Sequence, residues 1–213
     1  MMRKIFAFTL IIIFFLGMTS CQKITEPIEK AKKTSQFPMS IGSTWVYSIV
    51  DTVVYTYTGK TEMFYDTVKI SIVSITNLPD GKKATVWQYQ YRDTVDTLFA
   101  NLAGDTLLFY QKNGDFLLLK SGFILPLQVD NQWQLSVFDY RVERADTVQV
   151  PAGIFINVFD VLERPRVGNV VGLNHYFIAP QVGIVKYYSG TFSTFAEVNH
   201  KNEWKLLSYT IAD

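Results

Sequence analysis

The chain of 213 residues is 48% hydrophobic, 15% aromatic and 18% charged, and its 20 lysines and arginines face 19 aspartates and glutamates. This near-neutral balance provides neither the basic surface of a nucleic-acid-binding protein nor the acidic block of a cation store, so we expect no nucleic-acid partner. The single cysteine excludes an internal disulfide and any metal site that needs two cysteine ligands.

The first 20 residues predict a secretory signal. Arg3 and Lys4 form a short positive region, and the apolar stretch at 5–16 is shorter than the roughly 18 residues that a spanning helix requires. Residues 18–21, with the sequence MTSC, resemble the lipobox of bacterial lipoproteins, although Met18 stands where leucine is usual. The resemblance implies that Cys21 is lipidated with acyl chains such as palmitate, which leaves the mature chain without a free thiol.

The segment after Cys21 predicts a lipid-anchored location. Several acyl chains hold a protein firmly, since each buried methylene contributes about 0.8 kcal/mol. Gln22 follows the cysteine at the position where aspartate would imply retention at the inner membrane. By resemblance to Gram-negative lipoproteins, we therefore expect the protein to be anchored in the outer membrane, on either face. Residues 21–36 are polar and predict a flexible tether, and residues 37–213 predict a single domain.

Strand patterns dominate the predicted domain. Trp87, Tyr89 and Tyr91 alternate with polar residues, as on a half-buried strand. In DTVKISIVSIT the apolar residues change parity after Ile72, which predicts a β-bulge or bend there. Turn-forming sequences recur at short intervals, namely LPDG at 78–81, AGD at 103–105, KNGD at 112–115, VPAG at 150–153, RVGN at 166–169 and NHKN at 199–202.

These features predict an all-β fold, an antiparallel meander with little helix. No stretch of twelve or more residues shows a clean helical period. Segments such as DTLLFYQ and DFLLLK are apolar on both faces, so one face must meet a second layer, a barrel interior or a ligand. The sequence leaves open whether the sheet forms a curved half-barrel, a barrel or a two-layer sandwich.

A nine-residue pattern occurs twice, as FPMSIGSTW at 37–45 and as LPLQVDNQW at 125–133. Each copy has a proline, then a turn-forming pair, then a tryptophan that we expect to open a strand. The two copies predict equivalent corners of one folded sheet. Trp45 and Trp133 then either pack the end of the interior or line the mouth of a binding cavity.

Three motifs extend the comparison across most of the domain. Pro38 to Trp45, Val150 to Asn157 and Tyr176 to Lys186 resemble PLxxGxxW, VPAGxFxN and YxAPxVGxVK, with one additional residue before the alanine of the third. These motifs are similar to those of a family of Gram-negative envelope lipoproteins without an assigned activity. The resemblance implies an envelope lipoprotein and leaves the function open.

No residue pattern predicts an enzyme, a cofactor or a metal site. The histidines, His175 and His200, fall in different predicted hairpins, with His200 in a turn, and no third zinc ligand accompanies them. The repeated Asp-Thr-Val and Asp-Thr-Leu triplets fit strand starts. Neither a phosphate-binding glycine loop nor a GxSxG nucleophile motif is present in the sequence.

Two functional hypotheses remain. In the first, the domain is a non-enzymatic binding module whose aromatic interior takes an apolar small molecule or lipid, with Trp45, Trp87, Tyr89, Tyr91 and Trp133 as candidate ligand-binding residues. In the second, it is a structural or assembly accessory that docks onto another envelope protein. In both, the N-terminal anchor contacts membrane lipid.

Overall fold

The computed structural model describes residues 37–114, 116–166, 171–192 and 198–213. The predicted signal peptide, Cys21 and the tether at 21–36 lie outside the described residues, as does most of the RVGN segment. Within the described ranges, no helix is both long and apolar enough to cross a membrane.

In the described part of the chain, twelve antiparallel strands form one sheet, which confirms the all-β prediction, and this sheet is nearly closed and barrel-like. The strands are β1 (Thr44–Tyr55), β2 (Thr61–Asn77), β3 (Lys83–Gln90), β4 (Val95–Ala103), β5 (Thr106–Asn113), β6 (Phe116–Ile124), β7 (Gln132–Leu135), β8 (Phe138–Val150), β9 (Gly153–Pro165), β10 (Val171–Ala179), β11 (Gly183–Phe192) and β12 (Val198–Thr210). Their order is β6-β5-β4-β3-β2-β1-β12-β11-β10-β9-β8-β7.

This order divides the sheet into two meanders of six strands. The first runs from β1 to β6 and the second from β7 to β12, and one copy of the nonapeptide precedes each. The first strand of the first meander pairs with the last strand of the second, because β1 and β12 share a ladder. The remaining two ends, β6 and β7, are the edges of the sheet.

The two nonapeptides form turns with the same hydrogen-bond pattern, although the Leu125–Pro126 peptide bond is cis and the Phe37–Pro38 bond is not. Gly42 and Asp130 occupy the same place in the two copies and have positive φ angles of 95° and 70°. The amides of Gly42 and Asp130 donate to the carbonyls of Ile72 on β2 and Val142 on β8, each at 2.9 Å. In return, the amides of Ile72 and Val142 donate to the carbonyl of the residue that follows Gly42 or Asp130, at 3.0 and 2.9 Å, respectively. Each turn thus continues the ladder of the neighbouring strand.

The β-bulge predicted near Ile72 is confirmed, and it has a counterpart in the second meander. The β2–β3 register shifts between Ile72 and Ser74, and the β8–β9 register shifts between Val142 and Arg144. Val68, Ile70 and Ile72 are buried on one face. A bulge increases the local twist of a strand, which helps the sheet to curl around its interior.

The two tryptophans of the nonapeptides pack in similar ways. The Trp45 ring stacks on Trp87 with centroids 5.1 Å apart, and the Trp133 ring stacks on Tyr140 at 5.3 Å. The indole N–H of Trp45 donates to a carbonyl in the β10–β11 turn at 2.7 Å, and that of Trp133 donates to the carbonyl of Gly122 at 3.2 Å. Both side chains are buried, and both polar N–H groups are satisfied.

The bond from Trp133 to Gly122 crosses the seam between the two sheet edges, β7 and β6, which share no backbone ladder. A Cβ atom at Gly122 would lie 2.5 Å from a methyl carbon of Leu135 on β7. Glycine at this position therefore allows the two edges to approach closely. Side chains, rather than a continuous ladder, bring the ends of the sheet together.

Two of the Asp-Thr-Val triplets have a local structural role. The Asp66 carboxylate accepts a bond of 2.7 Å from the amide of Thr67, and Asp146 accepts the same bond from Thr147. On β2 this occurs where the strand pairs with β1 and has not yet begun to pair with β3, and on β8 it occurs at a register shift. The aspartate satisfies an amide that the ladder leaves free.

The turn predictions at 78–81 and 150–153 are confirmed, whereas the one at NHKN is wrong. The amide of Gly81 donates to the carbonyl of Leu78 at 2.9 Å, which closes the first of these turns. His200, however, lies inside β12, opposite Val53 on one side and Thr191 on the other. Ladders on both sides of the strand stabilise an extended backbone that the turn-forming residues alone would not favour.

The corner geometry yields a stability prediction. We expect Gly42→Ala to lower the free energy of unfolding by about 1–2 kcal/mol, because a side chain disfavours the positive φ angle. Space is not the obstacle, since the added Cβ would lie 3.5 Å from the nearest atom. Urea unfolding followed by tryptophan fluorescence measures the change. Gly172→Ala is the matched control, with an ordinary 3.9 Å contact and no positive φ. Equal losses in both variants would contradict the prediction.

Candidate functional site

A cavity of about 400 Å³ lies against the inner face of the sheet. Both meanders contribute to its wall, and most of its lining is aromatic or aliphatic. The volume is within the range of small-molecule sites in proteins, roughly 300–1,000 Å³. The aromatic members of the lining include Tyr47, Tyr89, Phe109, Phe123, Tyr176 and Trp204.

Strand alternation places these side chains inside. On β1, Trp45 and Tyr47 are buried while the residues between and beside them are partly exposed. The two have different surroundings, because Trp45 packs near the corner and Tyr47 lines the cavity. The Tyr47 hydroxyl donates to the carbonyl of Ile184 on β11 at 2.6 Å. Burial raises the pKa of Tyr47 well above its usual value, so its hydroxyl remains protonated.

One wall of the cavity is polar. Glu163 on β9 is only 2% exposed and pairs directly with Asn174 on β10. The Asn174 amide donates to one carboxyl oxygen of Glu163 at 2.6 Å, and the Tyr176 hydroxyl donates to the other at 3.4 Å. The Tyr187 hydroxyl donates to the side-chain oxygen Oδ1 of Asn174 at 3.2 Å. The polar wall is therefore a hydrogen-bonded network that spans three strands, β9 to β11.

The environment of the polar wall shifts the titration of its acid. Burial raises the pKa of Glu163 above its usual value, and the hydrogen-bond donors around the carboxyl partly oppose this rise. Burial also raises the pKa of Tyr176, and the nearby Glu163 carboxyl adds to that increase. The wall can therefore change its charge state through Glu163 alone, while the tyrosines remain neutral.

A single cationic side chain, Lys120, lines the cavity among the described residues. It lies on the edge strand β6, where the β5–β6 register shifts. Phe109 pairs with Ser121 and Tyr110 pairs with Leu119, so Lys120 is the extra residue of a bulge. Because a bulge re-aims side chains, both Lys120 and Ser121 line the same cavity.

The five residues predicted to bind a ligand occupy three environments. Tyr89 lines the cavity. Trp45, Trp87 and Trp133 are buried and engage in ring stacking, and none of the three is part of the cavity lining. Tyr91 packs edge-on against Trp204, which does line the cavity, at 6.5 Å between centroids.

The sequence did not single out Glu163, Asn174 or Lys120. In VFDVLERP the apolar and acidic residues do not alternate cleanly, because both faces of β9 are buried at this point. Parity therefore could not assign Glu163 to the interior. The position of Lys120 depends on a bulge, which only the pairing of β5 with β6 reveals.

A second buried acid lies on the other face of β9. Asp160 is 4% exposed and contacts Nδ1 of His175 at 2.8 Å and Nε of Arg144 at 3.5 Å. The odd spacing from Glu163 separates it from the cavity. Among the described residues, no three His, Cys, Asp or Glu side chains are arranged to hold a metal ion. Asp160 therefore links β9 to Arg144 on β8 and to His175 on β10.

A larger concavity of about 610 Å³ lies along β7, β8 and β9 and has a different character. Its lining includes the predicted site residue Trp133 together with the charged residues Asp139, Arg141, Glu143 and Arg164. Arg141 already pairs with Asp130 at 3.1 Å and with Glu143 at 3.8 Å. These exposed, mutually paired charges are typical of a solvated surface, so the smaller aromatic cavity is the better candidate site.

No protein-family model and no curated protein matches the chain. Two solved structures have a similar fold. One is a presumed exported protein of Bacteroides fragilis with a YmcC-like fold, and the other is a presumed lipoprotein of Parabacteroides distasonis. The first has 13% identity and a TM-score of 0.49, covering 82% of this chain and 98% of the other. The second has 12% identity and a TM-score of 0.46, covering 82% and 97%. These values are too low to transfer an activity, ligand or location.

The raised pKa of Glu163 yields a pH prediction. The folded protein holds the Glu163 proton to higher pH than the unfolded chain does. Its contribution to the free energy of unfolding is therefore complete below the usual glutamate pKa, about 4.3, and is lost as pH rises through the folded pKa. We therefore expect wild type to lose stability relative to Glu163→Gln as pH rises from 4 to 8. Urea unfolding of both proteins at several pH values measures this difference. A constant difference across the range would contradict the prediction.

Proposed function

We propose that this protein is a non-enzymatic, lipid-anchored envelope protein that binds an apolar small molecule or lipid acyl chain in its aromatic cavity. The observation that supports it is the cavity of about 400 Å³, which is lined mainly by aromatic and aliphatic side chains from both meanders. Concave sites lined in this way, with a few polar groups, are typical of small-molecule binding. A ligand that enters the cavity would remove apolar surface from water, which favours binding.

The contrast with the packed end of the interior supports the proposal. Phe37 packs against Trp87, Phe109 and Phe123 with ring centroids 5.9–6.2 Å apart. Phe109 and Phe123 also line the cavity. The cavity therefore adjoins a closely packed aromatic cluster, which argues against a generally loose fold.

The proposed location depends on the N-terminal sequence. The apolar stretch at 5–16, the MTSC sequence and the absence of aspartate at position 22 support export, acylation of Cys21 and retention at the outer membrane. The polar segment at 21–36 would then connect the anchor to the domain. In this arrangement the cavity would lie near a membrane that is rich in acyl chains.

A second candidate function is docking onto another envelope protein. The observation that favours it is the first half of β2, where Met63, Phe64 and Tyr65 are each more than half exposed. This part of β2 pairs with β1 and not with β3, so one edge of its backbone is available to another strand. A substitution that fills the cavity distinguishes the two candidates, because it would weaken ligand binding and leave docking onto another protein unchanged.

The cavity proposal predicts the effect of a filling substitution. We expect Leu98→Trp to weaken binding of the neutral fluorophore N-phenyl-1-naphthylamine by at least about tenfold, equivalent to about 1.4 kcal/mol. Leu98 lines the cavity, so the larger ring would occupy ligand volume. Leu207→Trp is the matched control, since Leu207 is 36% exposed and follows the fully buried Leu206. Fluorescence titration of the Cys21→Ser chain in detergent-free buffer measures binding. Equal affinities in both variants would contradict the proposal.

The anchor proposal predicts a change in cell fractionation. We expect Cys21→Ser to move the protein from the membrane fraction to the periplasmic soluble fraction, because the only sulfur available for acylation is removed. Ser20→Ala, which keeps the cysteine and a small neighbour, should remain with the membranes. Immunoblotting of the two fractions measures the distribution. Retention of Cys21→Ser in the membrane fraction would show that acylation does not anchor the protein.

A further inference from the structure

The charged groups that line the cavity differ in their availability to a ligand. The carboxyl group of Glu163 is enclosed and accepts hydrogen bonds from Asn174 and Tyr176. Lys120 is exposed, and no carboxylate in the described ranges forms an ion pair with it. The charge that a ligand can use is therefore the positive one on β6.

The positions of these groups also set a direction. Lys120 is exposed on the edge strand β6, whereas Glu163 is buried on β9 within the hydrogen-bonded polar wall. An anionic group would be attracted to the ammonium of Lys120 and would gain nothing at Glu163, whose two oxygens already accept hydrogen bonds. The apolar surfaces of Leu98, Phe109 and Ile184 line the remaining space.

We propose that the cavity takes a single-chain amphiphile with an anionic head, with the head at Lys120 and the chain between the aromatic walls. This inference rests on the proposed ligand-binding function and adds the charge and orientation of the ligand. If each chain group takes the space of a water molecule, about 30 Å³, the cavity holds about a dozen of them. Dodecanoic acid has a dozen carbon atoms, which matches this number of chain groups.

The test compares ligands that differ only in their head groups. Dodecanoic acid, dodecyl phosphate and methyl dodecanoate compete with N-phenyl-1-naphthylamine for the Cys21→Ser chain at pH 8, where the fatty acid is ionised. We expect the two anionic ligands to displace the fluorophore at about fivefold lower concentration than the ester, the size of a partly exposed ion pair. Comparing the carboxylate with the phosphate identifies which anionic head fits better, and a preference for either over the ester supports the proposal.

Substitution of the lysine identifies the residue responsible. Lys120→Gln should weaken the anionic ligands about fivefold and leave the ester unchanged. Lys69→Gln is the control, because Lys69 is an exposed lysine between the inward-facing Val68 and Ile70 and does not line the cavity. Raising the salt concentration to 1 M should reduce the difference between acid and ester in wild type and not in Lys120→Gln.

Each contrary result has a distinct meaning. If the ester binds as tightly as the anions, or if Lys69→Gln has the same effect as Lys120→Gln, the proposed charge recognition is wrong and the apolar cavity proposal stands. If neither the fluorophore nor any of the three amphiphiles binds, the proposed ligand-binding function fails as well. Thermal unfolding of each variant without ligand verifies that binding is compared between equally folded proteins.

Discussion

The structure depends on two turns that the chain forms in the same way. At each turn a residue with a positive φ angle, Gly42 or Asp130, directs the backbone to the neighbouring strand, and a reciprocal pair of amide–carbonyl bonds holds it there. A tryptophan then enters the interior three residues later. Each meander of six strands begins at one of these turns. The geometry of the corners thus sets the starting register of both halves of the sheet.

The corners also determine where the interior is packed and where it is open. Before the first turn, Phe37 inserts its ring among Trp87, Phe109 and Phe123, and Trp45 stacks on Trp87. These rings are in close contact with one another. Beyond them, the walls carry tyrosines and the Glu163 network, whose polar groups bond to one another across strands and cannot all collapse inward. The cavity remains in this region.

Much of the fold could be predicted from the sequence, because its signals are local. Alternation identified the strand of Trp87 and Tyr89, the parity change located the bulge at Ile72, and the LPDG sequence marked a turn. NHKN was misread because two ladders, to β1 and β11, outweigh the turn preference of its residues. The cavity was harder to predict. Alternation shows which side chains point inward but not whether a neighbour fills the space beside them, so it could not show that Trp87 is packed and that Tyr89 lines the cavity. The bulge that places Lys120 at the cavity depends on long-range strand pairing, which the sequence does not reveal.

The central claim is that the space among the aromatic walls is a ligand site. A crystal structure of the Cys21→Ser chain grown with dodecanoate tests this most directly. We predict continuous electron density for one acyl chain beside Phe109, Phe123 and Trp204, with the carboxylate near Lys120. A cavity filled only by water, or closed by rotation of its aromatic side chains at saturating ligand, would contradict the account.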